Sequence, residues 1–113
     1  MEINYKLDKI RDLSDNDQEF IETLATTFLE EVPADARLLK IAVDSADHLA
    51  TYKAAHKMKP TIDMFELGVL NELIEVQDWG KLEKRGEDIS EQLAKVMDAV
   101  EKASSEIKED FNL

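Results

Sequence analysis

Ile89, Leu93, Val96, Val100, Ala103 and Ile107 recur at intervals of three and four. That spacing places six apolar side chains on one stripe of a helix and does not fit the two-residue period of a strand. Most of a helix's stability in a protein comes from packing such a face, so the stripe is expected to be buried against other elements. No segment elsewhere alternates apolar and polar residues as a half-buried strand would. Three glycines and two prolines leave few places to break helices, and most other residues are good helix formers. The chain is therefore expected to be all-α.

The remaining helices follow from the same period. A short helix is expected over about residues 5–12, using Leu7 and Ile10, with Arg11 on it. Ser14 or Asp15 can cap the helix that follows by accepting backbone N–H bonds. That second helix carries Phe20, Ile21, Leu24, Thr27, Phe28 and Glu31 as its stripe. Pro33 is expected to interrupt or kink it before Leu38, Leu39, Ile41 and Ala42 resume the pattern. A third helix is expected over about residues 47–65. A fourth begins near Leu67 or Gly68 and carries Leu70, Leu73, Ile74 and Leu82, with Trp79 as a core or edge residue. Gly86 has the position of a C-terminal cap, and Glu87 or Asp88 opens the last helix. Short connections between long helices predict antiparallel neighbours. The expected architecture is an antiparallel four-helix bundle with a short extra N-terminal helix, forming one domain over residues 1–113.

Charge and composition exclude several classes of function. The net charge is −12, which argues against a nucleic-acid partner. There are no cysteines, so disulfides and thiolate metal sites are excluded. No apolar run approaches the roughly 18 residues that a membrane span needs. The first ten residues, MEINYKLDKI, lack the basic-then-apolar layout of a secretory signal, so a cytoplasmic location is expected. The start methionine and the full helix set favour a stand-alone chain.

One stretch departs from the acidic average. Residues 48–62 contain Lys53, Lys57 and Lys59 and no acid, which makes this stretch +3 and leaves −15 for the rest. A basic island in an acidic protein marks a place where a negative group can be received. At about 100° per residue, Thr51, Ala55, Met58, Ile62 and Phe65 share the core side of helix three. Leu49, Tyr52, Lys53, His56, Lys59, Pro60 and Asp63 lie opposite. His56 thus points away from the core, between lysines. A neutral imidazole nitrogen can accept a phosphoryl group, and ammonium groups one turn away can stabilise its oxygens. No Gly-rich phosphate loop or nucleotide-binding motif is present. His48 and His56 are about two turns apart on the helix, too far to share an ion, so no metal site is expected.

The run AHKMKP at residues 55–60, taken with the surrounding helix pattern, resembles the histidine-containing phosphotransfer (HPt) family. That family's signature is alanine-histidine, an apolar residue two after the histidine and a lysine three after. Ala55, His56, Met58 and Lys59 match it. The resemblance extends over roughly residues 5–110. Two positions differ: Pro60 stands where the family usually has glycine, and Glu66 replaces a second glycine, with Gly68 two residues later.

The resemblance implies a phosphorelay intermediate in two-component signalling. His56 would accept a phosphoryl group on Nε2 from the aspartyl phosphate of a receiver domain and pass it to another receiver. Lys59 would hold the phosphoryl oxygens. Tyr52, Lys53, Lys57, Pro60 and Asp63 would meet the partner, a receiver of a response regulator or hybrid histidine kinase. The chain would be a monomeric carrier rather than an enzyme with independent turnover. It would need no cofactor of its own, since the Mg²⁺ of such transfers belongs to the receiver.

Two other readings use the same residues. Histidine-kinase dimerisation domains also carry a phosphorylatable histidine on a helix, but with an acid directly after it and a proline five after. Here Lys57 and Pro60 break that order, and no ATP-binding domain follows in these residues. A non-catalytic helical adaptor is the remaining possibility.

Overall fold

Asp17 and Asp47 each close the start of a long helix. The Asp17 carboxylate accepts the Phe20 N–H at 3.3 Å, and Asp47 accepts the Ala50 N–H at 3.0 Å. Each satisfies a backbone donor that the helix cannot, a contribution of about 1 kcal/mol. The computed structural model describes all 113 residues. It contains five helices: α1 (Asp8–Ser14), α2 (Gln18–Asp44), α3 (His48–Met64), α4 (Leu70–Lys81) and α5 (Ser90–Asp110). There is no strand, as the periodicity requires.

Several boundaries differ from expectation, each for a local reason. The first helix begins at Asp8 rather than near residue 5. The N–H groups before it are committed elsewhere: Asn4 donates to Glu106 at 3.0 Å, Lys6 to the Phe65 carbonyl at 2.8 Å and Leu7 to Glu2 at 3.0 Å. Residues 1–7 therefore form a strap rather than a helical turn, and Tyr5 and Leu7 are buried in it. The cap of α2 is Asp17, not Ser14 or Asp15. Ser14 is the last residue of α1 and bonds back to the Ile10 carbonyl, while Asp15 and Asn16 turn the chain with positive φ. Asp15 and Asn16 are non-glycine residues in the left-handed region, which short polar side chains tolerate best; Glu66 adopts it as well.

Pro33 neither ends nor divides α2, which runs for 27 residues through it. A proline removes one N–H and crowds the carbonyl four residues before. Burial of Phe28, Val32, Ala36 and Leu39 on either side of it offsets that cost. The buried stripe of α2 is Ile21, Ala25, Phe28, Val32, Asp35, Ala36, Leu39 and Ala42. Phe20, Thr27, Glu31, Leu38 and Ile41, expected on the stripe, are exposed. Further along, α4 starts at Leu70 rather than Leu67 or Gly68 and ends at Lys81, with Leu82 exposed. Gly86 turns the 82–89 link instead of capping α4, and Ser90 rather than Glu87 or Asp88 opens α5. Asp88 stands just ahead, accepting from the Ser90 N–H at 2.9 Å.

The predicted stripe of α5 is buried along its whole length. It meets α2 and α4, which in turn meet α3. The four longer helices thus close a ring of contacts around one core of 23 buried residues, with α1 on α2. Phe28 of α2 and Phe65, just past α3, meet at a ring separation of 4.8 Å. A close helix approach occurs at Gly80 of α4. A Cβ there would stand 2.5 Å from the His48 carbonyl oxygen and 2.7 Å from the Tyr52 nitrogen of α3. Only glycine permits this distance. Next to it His48 stacks on Trp79 at 4.2 Å, and the Trp79 indole N–H donates to the Glu87 carbonyl at 2.9 Å. No helix is long and apolar enough to cross a membrane.

Candidate functional site

The site is built on the middle of α3. Thr51, Ala55, Met58 and Ile62 are buried on its inner side, and this fixes the rotation of the helix. His56 is consequently exposed, with Lys53, Lys57, Pro60 and Asp63 also exposed and Tyr52 and Lys59 half-buried. All seven residues singled out in the sequence share this outer surface. α3 continues through Pro60 to Met64, and the proline supplies no N–H to the His56 carbonyl.

The charges around His56 divide into paired and free. Lys57 Nζ lies 3.1 Å from Oδ1 of Asp35, and Asp63 Oδ1 lies 2.9 Å from Lys9 Nζ. Asp35 is buried, so its carboxylate is poorly solvated and depends on the Lys57 partner. Lys53 and Lys59 enter no ion pair. They are the two ammonium groups free to meet an anion, one turn before and one turn after His56. The imidazole itself stacks against Tyr52, with ring centroids 5.6 Å apart and planes inclined by 28°.

Beside the lysines runs a groove between α2 and α3, with Asp35, Leu38, Ile41, Lys53, Ala54 and Lys57 among its lining residues. Leu38 and Ile41 are 59% and 61% exposed, which is high for side chains of this size. Both belong to the apolar pattern that resumes after Pro33, and the sequence also leaves the stretch around Arg37 and Leu38, or Phe28, open as a docking contributor; of these Phe28 is buried. The signal for Leu38 and Ile41 was a register offset: each lies one residue before a stripe member, Leu39 or Ala42. A larger groove, between α2 and α5, includes Leu29, Pro33, Ser104 and Lys108 in its lining but no residue of α3.

His48 is separate from this surface. It is the first residue of α3, buried, and its Nε2 has no hydrogen-bond partner. No group of three or more His, Asp or Glu side chains is arranged to hold a metal ion. Fold and site together define a small all-helical protein that presents one stacked, exposed imidazole between two unpaired lysines. No protein-family model, curated protein or solved structure matches the chain.

Proposed function

We propose that this chain is an HPt-type phosphorelay intermediate. The observation that carries the reading is the position of His56: exposed at mid-helix, opposite a fully buried face, with the unpaired Lys53 and Lys59 one turn to either side. The short links at 45–47, 65–69 and 82–89 support an antiparallel four-helix bundle in which α1 is the extra N-terminal helix. The carrier would be cytoplasmic and monomeric, with receiver domains as its partners.

In the transfer, the Nε2 lone pair of His56 attacks the phosphorus of a receiver's aspartyl phosphate. The N–P bond forms as the P–O bond breaks, and the aspartate carboxylate leaves with the electron pair. The reverse step on a second receiver discharges the histidine. Lys59 stabilises charge on the phosphoryl oxygens. Mg²⁺ is held by the receiver, and this chain contributes the nucleophile and the docking surface. The groove containing Leu38 and Ile41 shares Lys53 and Lys57 with that surface, so a partner covering His56 meets an apolar strip with the unpaired Lys53 beside it.

Incubation with a ³²P-labelled phosphorylated receiver tests the proposal. Label is expected to move to this chain, to be lost in acid, and to be absent from His56→Gln. Label that stays on the receiver, or that reaches His56→Gln equally, would leave a non-catalytic adaptor as the better reading.

A further inference from the structure

The stack between Tyr52 and His56 has a role that docking alone does not explain. An exposed imidazole on a helix ordinarily samples several rotamers. His56 makes no side-chain hydrogen bond that would select one of them, and its recorded ring contact is with Tyr52, one turn earlier at i−4. Tyr52 in turn stands on a closely packed part of α3. Its backbone nitrogen sits where α4 approaches closely, over Gly80, and its side chain is half-buried. A half-buried ring on the part of α3 that packs against Gly80 therefore lies against a ring that is otherwise unsupported.

We infer that Tyr52 is a positioning residue: its ring holds the His56 imidazole in one orientation for in-line attack on phosphorus. The geometry suits this task. A stacked neighbour covers one face of the imidazole and leaves the ring edge open. The nitrogen lone pairs lie in the ring plane, so the nucleophile stays accessible while the ring's rotation is restricted. The benefit is orientational, of the kind that lowers a barrier by removing unproductive geometries. The phenol hydroxyl makes no hydrogen bond here, so the aromatic face, not the hydroxyl, is the active feature. Gly80 is the foundation of the arrangement, because a side chain there would push α3 and Tyr52 outward.

This inference rests on His56 being the phosphoryl acceptor, and its test separates the two claims. Phosphoramidate is a small phosphoryl donor that needs no docking surface: its N–P bond breaks, ammonia leaves and the phosphoryl group passes to the imidazole. Wild type, Tyr52→Phe and Tyr52→Leu are compared for phosphorylation by phosphoramidate and by a phosphorylated receiver, and by NMR of the His56 ring protons. Tyr52→Phe is expected to keep the wild-type rate and the ring-current shift of the His56 protons. Tyr52→Leu is expected to lose the shift and to react about two- to tenfold more slowly with phosphoramidate. With the receiver, the same variant should lower kcat, whatever it does to KM. A wild-type phosphoramidate rate in Tyr52→Leu, or a change confined to KM, overturns the positioning role while His56 remains the acceptor. Absence of label on wild-type His56 with both donors overturns the acceptor and the positioning role together.

Discussion

Lys57 Nζ is 3.1 Å from the Asp35 carboxylate, and Asp35 is only 7% exposed. The lysine that directly follows His56 thus binds α3 to α2, while Lys59 enters no ion pair and is the one assigned to the phosphoryl oxygens in the proposed transfer. The two lysines should fail differently. Lys57→Met should cost about 1 kcal/mol of stability by leaving a buried carboxylate without its partner, with the exposed lysine end limiting the loss. Lys59→Ala should leave stability nearly unchanged and slow phosphoryl transfer roughly tenfold, less than a water-excluded oxyanion hole would show. Urea denaturation and transfer kinetics on both variants check the division.

Gly80→Ala should be among the most damaging single-methyl changes in the chain. Its Cβ would meet backbone atoms of α3 at 2.5 and 2.7 Å, and backbone cannot rotate away as a side chain can. A loss of about 3 kcal/mol is expected. Gly86→Ala is the comparison: its φ of 83° strains any other residue, but nothing lies within 4 Å. That change should cost about 1 kcal/mol. Thermal melts of the two variants should rank them in this order.

Pro60 occupies a helix interior and denies a donor to the His56 carbonyl. Pro60→Ala should therefore raise stability by about 1–3 kcal/mol, measured by denaturant unfolding. Pro60→Gly should retain phosphoryl acceptance if compactness is what the position requires. Loss of acceptance in a folded Pro60→Gly variant would show that the proline also sets the geometry of His56.

Leu38→Glu and Ile41→Glu alter a surface that the fold does not need. Both side chains are more than half exposed, so stability should change by no more than about 0.5 kcal/mol. Transfer from a phosphorylated receiver should fall through KM, because the apolar strip beside the lysines is lost. The phosphoramidate rate should not change. A fall in both rates would place the effect on His56 rather than on docking.

Glu2 gives the fold a pH dependence of its own. The hydrogen-bonded Arg11 guanidinium holds its carboxyl below the usual range, and the Leu7 N–H adds to this. A depressed carboxyl stabilises the fold above its unfolded value and loses that contribution as pH falls toward the folded one. The stability gap between wild type and Glu2→Gln should therefore be present at pH 6 and shrink between about pH 5 and 3. The pair is partly exposed, so the gap should be at most about 1 kcal/mol. Melting curves across this range measure it.

The chain's local pattern made some of this legible and hid the rest. The α5 stripe and the inner side of α3 are as the spacing predicts, because each has one apolar face and no rival. In α2 two interleaved sets compete, one through Leu39 and Ala42 and the other through Leu38 and Ile41. Periodicity does not choose between them. Pro33 looked like a break because the rule for proline is local, whereas the burial that carries α2 through it comes from α3 and α5.

From sequence alone came the all-helical class, the outward direction of His56 and the basic island around it. These depend on residues within a few turns of one another, and helical geometry relates such residues without reference to anything else. Tertiary structure decided which lysine is paired, which α2 face is left bare, how closely Gly80 lets α4 approach and what holds Tyr52 against His56. Each of these depends on how the helices pack, set by how the whole assembly removes apolar surface from water while satisfying Asp35 and the backbone.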